Sequence, residues 1–564
     1  MKLSLASAAL AQLLLGIAQP ALAAPRNGTV PKLGAVASES NVCSWIGTKL
    51  LRQGGNAADA TVGTVLCVGV VSMYHSGIGG GGFMLVRSPN GTYEFIDFRE
   101  TAPAAAFEDM YKNNTKASEF GGLASGVPGE LRGLEYLHKH YGKLPWSEVV
   151  MPAARLARRG FRVTEDLVKY MNSVAPNGKF LTEDPSWAAD FAPHGRRVRL
   201  NETMTRKRYA RTLETVAREG AGAFYTGSIA NATVKALRAS GGIMTMEDLA
   251  NYTVAVREPS QISYRGYKLT ACGAPSGGVV ALSALNIVGG YEGFGDPAAR
   301  NATVHRLDEA MRFAYGQRTK LGDPSFVDGM AAYTRAMVSP GVGAEVRARI
   351  SDARTRNTSW YNPDGIESLE TPGTSHVAAA DASGLAVSLT TTINLLFGSQ
   401  LVVPETGVVM NNEMNDFSIP GSSNAFGYIP SPANFIRPGK RPLSSISPVI
   451  VERPDGGLYL VIGSAGGSRI ITATIQNIHN VLDRNMTTAR ALAEPRFHDQ
   501  LSPNTAAFEW AYDNATTTYL RSLGTNVTWV APGGSTAQGV RLLPNGTFEA
   551  AGEPRQKNSG GFAV

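Results

Sequence analysis

Residues 372–394 read PGTSHVAAADASGLAVSLTTTIN, and the interpretation of the whole chain starts from them. Two runs of β-branched and small apolar residues flank residues 381–384 (DASG), which begin with a turn former and end with a glycine. This pattern predicts a β-hairpin whose first strand opens at Thr374. Gly373 has no side chain, so a neighbouring hydroxyl can approach its carbonyl closely. From composition alone, an ordinary hairpin with a threonine at its edge is the simpler interpretation.

The composition is that of a folded globular protein. A chain of 564 residues, 43% hydrophobic and 18% charged, is long enough for one large or two medium cores, which argues against disorder and coiled coil. The formal charge of +7 is spread without a Lys/Arg block, so it indicates solubility and mild attraction for acidic small molecules rather than nucleic-acid binding. Between residues 131 and 350 the apolar pattern is mostly helical, for example over 146–158 and 206–219, and it predicts a scaffold.

The N-terminus has the pattern of a secretory signal. Residues 1–23 have a lysine at position 2, a mostly apolar run and the small-residue ending Ala-Leu-Ala, which predicts cleavage after Ala23 and a secreted protein. An uncleaved membrane anchor is the alternative. The apolar run is short for a spanning helix and is interrupted by Gln12 and Gln19, which favours the signal peptide.

Acceptor sequences for N-glycosylation are unusually frequent. Twelve occur where about five are expected from the composition, and the excess indicates a secreted, glycosylated eukaryotic protein. The candidate acceptors are Asn27, Asn90, Asn113, Asn201, Asn231, Asn251, Asn301, Asn357, Asn485, Asn514, Asn526 and Asn545.

The cysteine count excludes a disulfide framework and any multi-cysteine metal site, because only three cysteines are present. Cys43 precedes a helical pattern over 44–52, and Cys67 lies near the end of a second one over 57–70. If these two helices fold back on each other, the two thiols come close. Two separately buried thiols are the alternative, and Cys272 is expected to be free and buried.

A glycine-rich run at residues 77–83, GIGGGGF, contains the dinucleotide-binding pattern G-x-G-x-x-G. That motif needs a strand before it and a helix after it. Here the preceding pattern is helical and the following residues, 83–86 and 92–98, predict a pair of strands. A tightly packed or flexible loop is therefore favoured over the nucleotide cradle of an oxidoreductase.

Five segments, two within the stretch 372–394 and three after it, closely resemble the motifs of the γ-glutamyltransferases, also called γ-glutamyltranspeptidases or glutathione hydrolases. They are GTSH at 373–376, TIN at 392–394, NNEMNDF at 411–417, RPLSS at 441–445 and GSAGG at 463–467. The resemblance runs from residue 35 to residue 561. It implies a four-layer αββα fold of the N-terminal-nucleophile hydrolases, made as a precursor and cut between Gly373 and Thr374. The expected products are a large subunit, 24–373, and a small catalytic subunit, 374–564, that stay associated as one intertwined domain.

In this family the threonine at the cut becomes the N-terminal residue of the small subunit. Thr374 then carries both a nucleophilic hydroxyl and an α-amine that titrates near 8 and can take its proton. No catalytic histidine is needed, so His376 and His75 are interpreted as structural. Ser375 points to the opposite face of the strand from Thr374, which argues against a dyad of Ser375 with His376.

The resemblance also assigns the remaining site residues. Thr392 would hydrogen-bond the nucleophile, and Asn394 would contact the substrate amino acid. Asn415 stands where the family more often has an aspartate, but the ligand position carried over is Asp416. The full assignment is Arg99, Ser444 and Ser445 for the α-carboxylate, Glu413 and Asp416 for the α-ammonium, and Gly466 and Gly467 for the oxyanion. Taken alone, Arg99 is better interpreted as a surface arginine paired with Glu100.

Two structural features follow from the resemblance as well. A bridge between Cys43 and Cys67 matches one in related eukaryotic enzymes. The segment 421–439, with Phe426 and Tyr428, is similar to the lid loop that covers the site in many relatives.

The function that the resemblance implies is cleavage of glutathione and other γ-glutamyl compounds, with transfer to water or to an amino acid or dipeptide. No cofactor and no metal are expected. Three alternatives remain open. They are an acylase of the same fold such as a cephalosporin acylase, the glycine-loop oxidoreductase, and a catalytically dead relative that serves as a secreted binding protein.

Overall fold

The structure is a computed structural model of the single chain, and it describes residues 32–174, 178–366, 373–422 and 429–564. The predicted signal peptide, the acceptor Asn27 and the centre of the predicted lid, with Phe426 and Tyr428, lie outside the described residues. None of the described helices has the length and apolar character needed to cross a membrane.

The described residues form strands of two to eight residues. These are β1 Gly34–Ser38, β2 Gly81–Arg87, β3 Tyr93–Phe98, β4 Phe161–Arg162, β5 Thr203–Met204, β6 Ala255–Arg257, β7 Ser260–Tyr264, β8 Tyr267–Ala271, β9 Ser375–Asp381, β10 Ala386–Thr392, β11 Val449–Glu452, β12 Leu458–Ala465, β13 Phe497–His498, β14 Ala506–Glu509, β15 Val527–Val530, β16 Thr536–Leu542, β17 Phe548–Ala551 and β18 Gly560–Ala563.

Helices separate and surround the strands. These are α1 Asn41–Arg52, α2 Ala57–Val71, α3 Glu130–Tyr141, α4 Trp146–Arg159, α5 Glu165–Ser173, α6 Phe180–Glu183, α7 Pro185–Phe191, α8 Lys207–Glu219, α9 Gly222–Tyr225, α10 Gly227–Ala239, α11 Met246–Asn251, α12 Gly278–Val288, α13 Arg300–Arg318, α14 Met330–Met337, α15 Pro340–Arg349, α16 Thr358–Tyr361, α17 Arg469–Leu482, α18 Thr488–Ala493 and α19 Asn514–Ser522.

Two antiparallel sheets lie face to face at the centre. The first has the strand order β18-β1-β9-β10-β2-β3-β6, and the second has the order β17-β16-β12-β11-β8-β7. Helices α1, α2 and α3 contact the outer side of the first sheet, while α12 and α17 contact the second and α13 packs on α12. The layers are thus helix, sheet, sheet and helix, which confirms the predicted αββα architecture.

The hairpin predicted from residues 372–394 is the middle of the first sheet. Every residue of β9 and β10 is buried. On β9, Val377 and Ala379 belong to the core shared with α2, whereas Ala378 and Ala380 belong to the core shared with the second sheet. Alternation along the strand therefore directs even-numbered residues between the sheets, and alanine side chains let the sheets approach closely there.

The glycine-rich run packs against the hairpin. A Cβ at Gly80 would lie 2.0 Å from the Thr392 carbonyl oxygen, and one at Gly82 would lie 2.0 Å from that of Thr390. Helix α2 precedes the run and β2 begins within it. Close backbone approach explains these glycines, which confirms the tightly packed loop and leaves no nucleotide cradle.

The two cysteines at the start of the chain are joined. Cys43 on α1 and Cys67 on α2 form a disulfide, and the two helices pack side by side as expected. The alternative of two separate thiols is therefore wrong. Cys272 is free and buried, as predicted.

The described glycosylation acceptors are mostly exposed to solvent. Ten of them are exposed, whereas Asn301 is partly buried and its Oδ1 accepts a hydrogen bond from the Thr516 hydroxyl. The exposed positions are sterically open to a glycan. Their occupancy stays a prediction.

Candidate active site

Thr374 immediately precedes β9, on the face that points between the two sheets. The register pairs Ser375 with Thr391, so the next position of β10, Thr392, comes opposite Thr374. The Thr374 hydroxyl donates to Thr392 Oγ1 at 3.3 Å, and the Asn394 backbone N–H donates to the same oxygen at 2.7 Å. Strand pairing alone thus brings the candidate nucleophile and its predicted partner together.

The bond expected to be cut has a strained backbone. Gly373 has φ +127° and Thr374 has φ +109°, a region that β-branched residues rarely adopt. A Cβ at Gly373 would lie 1.7 Å from the Asn394 carbonyl oxygen, so only glycine fits there. The Thr374 conformation alone costs roughly 1–3 kcal/mol.

The Gly373 carbonyl is already held by the predicted oxyanion loop. The Gly466 backbone N–H donates to that carbonyl oxygen at 3.3 Å. Gly466 and Gly467 both have positive φ, and they lie at the N-terminus of the 14-residue helix α17. The Gly466 amide and the positive end of the helix dipole favour negative charge on the carbonyl oxygen.

Arg99 follows β3 directly and is buried, with 1% of its surface exposed. Its Nη1 donates to Glu413 Oε1 at 2.5 Å, and its Nη2 donates to Asp416 Oδ2. Glu100 Oε2 is more distant from Nη1, at 3.6 Å. The surface placement of Arg99 is therefore wrong, because the fold inserts it between two carboxylates more than three hundred residues away in sequence. The predicted ion pair with Glu100 is present but is the longest of the three.

The cluster of charged side chains around Arg99 contains three carboxyl groups, those of Glu100, Glu413 and Asp416. Burial raises the pKa of Glu413 well above its ordinary value, and nearby Glu100 adds to the increase. Burial also raises the pKa of Asp416, against the opposing pull of Arg99, and raises the pKa of Glu100 to about 8. Glu413 Oε2 and both Glu100 carboxylate oxygens accept no hydrogen bond from the described residues. A cationic group entering this cluster would be stabilised.

The predicted carboxylate-binding serines lie on a loop beside the cluster, and both are buried. Asn434 joins that loop to the acidic turn, since its Oδ1 accepts from Leu443 N–H and its Nδ2 donates to the Asp416 carbonyl. Ser445 Oγ accepts from the Arg318 guanidinium at 3.0 Å. The residues assigned to the two ends of an α-amino acid thus lie on connected loops.

A family model described as gamma-glutamyltranspeptidase matches residues 43–563. The chain belongs to the γ-glutamyltranspeptidase family.

Curated relatives span almost the whole chain. It is 57% identical over 549 residues to the glutathione hydrolase proenzyme of Arthroderma benhamiae, covering 94% of this chain and 93% of the relative. It is 54% identical to a glutathione hydrolase of Aspergillus flavus, covering 94% of this chain and 90% of the relative.

Solved structures have the same architecture. A cephalosporin acylase from Bacillus halodurans is 27% identical with a TM-score of 0.83, covering 98% of this chain and 99% of its own. The γ-glutamyltranspeptidase of Helicobacter pylori is 32% identical with a TM-score of 0.55, covering 59% of this chain and 96% of its own. Membership of the γ-glutamyltranspeptidase family therefore agrees with the αββα fold.

In this chain, the two histidines near the candidate site have structural partners. His376 is fully buried, its Nδ1 lies 2.8 Å from Thr390 Oγ1, and burial lowers its pKa to about 3. His75 Nδ1 lies 2.9 Å from Glu39 Oε2. These contacts support the structural interpretation. Among the described residues, no group of three or more His, Cys, Asp and Glu side chains is arranged to hold a metal ion.

Three residues at the candidate site were not predicted from the sequence. Arg318 lies in a helical stretch interpreted as scaffold, and Asn434 lies in the predicted lid. Asn412 belongs to a quoted motif, but its links to Asn394 Nδ2 and to Leu395 N–H were not foreseen. No local pattern distinguishes such residues from surface or turn residues, because their role depends on contacts made after folding.

Proposed function

We propose that the chain is a γ-glutamyltransferase of the glutathione hydrolase type, with Thr374 as nucleophile. The observation that carries the proposal is the geometry around the Gly373–Thr374 bond, whose carbonyl is held by Gly466 beside the Thr374 hydroxyl. Family membership and curated relatives named glutathione hydrolases support glutathione as the substrate. Other γ-glutamyl compounds are the expected further donors.

The first reaction is self-cleavage. The Thr374 hydroxyl oxygen attacks the Gly373 carbonyl carbon while Thr392 orients the hydroxyl and a water takes its proton. Gly466 stabilises the oxyanion. The carbon–nitrogen bond then breaks, the nitrogen takes a proton and becomes the α-amine of Thr374, and water hydrolyses the remaining ester. The products are the proposed large subunit, 24–373, and small subunit, 374–564.

Turnover then uses the new α-amine. Arg99 and the two serines, Ser444 and Ser445, would hold the donor's α-carboxylate, and Glu413 and Asp416 its α-ammonium. The Thr374 hydroxyl attacks the γ-carbonyl, its α-amine takes the proton and passes it to the leaving amine, and the Gly466 and Gly467 amides hold the oxyanion.

The resulting γ-glutamyl ester on Thr374 is released by a second attack. Water yields glutamate, whereas an amino acid or dipeptide yields a new γ-glutamyl compound. Asn394 is assigned to contact the substrate amino acid. In the described structure its Nδ2 donates to the Asn412 carbonyl, one residue before Glu413.

An acylase of the same fold is the second candidate, because a cephalosporin acylase shares the architecture over 98% of this chain. An acylase whose donor is a glutaryl amide would not need a site for an ammonium group. The buried carboxylates Glu413, Asp416 and Glu100 favour a donor that carries one.

The location of the protein is also proposed. A cleavable signal at residues 1–23 and ten exposed glycosylation acceptors support secretion. Mass spectrometry of the secreted protein tests signal removal, glycan occupancy and subunit masses together.

The nucleophile is tested with Thr374→Ala and Thr374→Ser. We expect Thr374→Ala to stay one uncut, inactive chain. Thr374→Ser keeps the hydroxyl but loses the methyl group that restricts its rotamer, so it should process and turn over more slowly. Denaturing gels follow the cut and γ-glutamyl-p-nitroanilide reports activity. A Thr374→Ala protein that is still cut before residue 374 and still active rules out this mechanism.

The donor class is tested with paired substrates. Glutaryl-p-nitroanilide lacks only the α-amine of the γ-glutamyl compound. We expect the protein to prefer the γ-glutamyl anilide, and Asp416→Ala to lose roughly 2–5 kcal/mol of transition-state stabilisation for it, because the donor's α-ammonium loses a charged partner. Processing should survive. Equal use of both anilides by the unmodified protein would favour the acylase.

A further inference from the structure

Helix α13 belongs to the proposed large subunit, yet its C-terminal turn contacts the proposed catalytic subunit. Arg318, the last residue of α13, is 4% exposed. Its Nη2 donates to Ser445 Oγ at 3.0 Å. Burial lowers the pKa of Arg318, and the negative charge of Asp416 opposes that shift, so the guanidinium interacts electrostatically with both predicted ends of the donor site.

A second residue on the same face of α13 reaches the oxyanion loop. Tyr315 is fully buried and lies three residues before Arg318, so the two side chains project from adjacent positions of one helix face. The Tyr315 hydroxyl donates to the Ser468 carbonyl at 2.5 Å. Ser468 directly follows Gly467, and Tyr315 stays an O–H donor because burial raises its pKa.

We propose that α13 holds the two halves of the active site through separate positioning residues, Arg318 for donor binding and Tyr315 for the oxyanion loop. This inference rests on the proposed function. A serine that accepts a hydrogen bond from Arg318 keeps its own hydrogen for the donor's α-carboxylate. The hydrogen bond from Tyr315 fixes the loop at Ser468, so that the Gly466 and Gly467 amides both point at the position of the oxyanion.

The two contacts predict different kinetic defects. Arg318→Gln should raise KM for γ-glutamyl-p-nitroanilide and lower kcat/KM by roughly ten- to hundredfold, because a charged hydrogen bond is lost. Self-cleavage should keep its rate, since no donor carboxylate is involved. Arg306→Gln on the same helix, whose guanidinium pairs with the exposed Asp352, is the matched control.

Tyr315→Phe should instead lower kcat by roughly tenfold with KM little changed, and it should slow self-cleavage as well, because both reactions use the oxyanion loop. Tyr333→Phe is the matched control. It also loses a hydrogen bond from a tyrosine to a backbone carbonyl, that of Gln317, but at a position away from the loop.

A double-mutant cycle separates positioning from general stability. If Arg318 acts through Ser445, the variant with Arg318→Gln and Ser445→Ala should lose about as much kcat/KM as Ser445→Ala alone. Multiplicative losses overturn the Arg318 role. A melting temperature for each variant reports folding, and Arg318→Lys keeps the charge if the glutamine variant does not fold. Its KM should lie between those of the unmodified protein and Ser445→Ala.

The outcomes distinguish this inference from the proposed function. An unmodified protein that turns over no γ-glutamyl compound refutes the proposed function. An active protein whose Tyr315→Phe and Arg318→Gln variants have the same kcat, KM and cleavage rate as their controls refutes the positioning roles. Slowed self-cleavage in Arg318→Gln, or a pure KM effect in Tyr315→Phe, refutes the division of roles between the two residues.

Discussion

Gly373 and Thr374 show at the residue scale how the chain is prepared for the cleavage proposed between them. Both have positive φ, and the carbonyl between them is bonded to the Gly466 amide before any cut. The strain raises the energy of the intact bond, and the amide stabilises the charge that develops when it breaks. The uncut chain thus already contains the groups that the mature site is proposed to use.

Gly373→Ala should stop self-cleavage. Its Cβ would lie 1.7 Å from the Asn394 carbonyl oxygen, so the backbone must move and the Gly373 carbonyl must leave its position beside the Thr374 hydroxyl. We expect an intact chain on denaturing gels over a time in which the unmodified protein is fully cut. Gly546→Ala is the control, because it also replaces a glycine of positive φ but has open space around its Cβ. A Gly373→Ala chain that is cut at the normal rate contradicts the role of this close contact.

The hairpin β9–β10 is the element that positions the candidate site, because Thr374 immediately precedes β9 and Thr392 ends β10. Both of its faces are buried. On the helix side, the Thr391 hydroxyl lies 3.0 Å from both carboxylate oxygens of Glu130, the first residue of α3. Burial raises the pKa of Glu130 to about 8. The contact between β10 and α3 therefore contains a carboxyl group that stays protonated near neutral pH.

Glu130→Gln should change the pH dependence of stability. A carboxyl whose folded pKa is raised contributes stability below its unfolded pKa of about 4.3 and loses that contribution as the pH rises through about 8. Glutamine keeps the hydrogen bond to Thr391 without titrating, so the melting temperature of the variant relative to the unmodified protein should rise between pH 5 and pH 9. The exposed substitution Glu219→Gln should show no such trend. A difference that stays constant with pH contradicts the assignment.

At the scale of the whole molecule, the proposed subunits are interleaved within both sheets. In the first sheet, β9 pairs with β1 and β10 pairs with β2, and in the second sheet β11 pairs with β8. Each of these pairs joins a strand before residue 373 to a strand after it. Separation after the proposed cut would expose the centre of the core, so we expect the two pieces to remain one folding unit.

The cut protein should therefore behave as one molecule until it unfolds. We expect a single peak on size exclusion that resolves into two chains only on a denaturing gel, and one cooperative thermal transition. The small subunit produced alone should not fold, because β9 would lack its neighbour β1 and β10 would lack β2. A small subunit that is folded and active by itself contradicts this arrangement.

The sequence by itself determined the features that depend on neighbouring residues. The alternation around residues 381–384 predicted the hairpin, and the helical pattern over 57–70 matches α2, Ala57–Val71. The ordered motifs predicted the family, the fold and the residues of the candidate site. These signals are readable because side-chain period and turn composition are local properties of the chain.

Only the tertiary structure decided how those residues meet. It buried Arg99 between Glu413 and Asp416 and held the Gly373 carbonyl on Gly466. It also brought Arg318 from the predicted scaffold to Ser445. Each contact joins groups about a hundred or more residues apart, or sets the burial of a charge. The physical reason is that burial and hydrogen-bond partners depend on which strands and helices pack together. The local periodicity of apolar residues does not specify that packing.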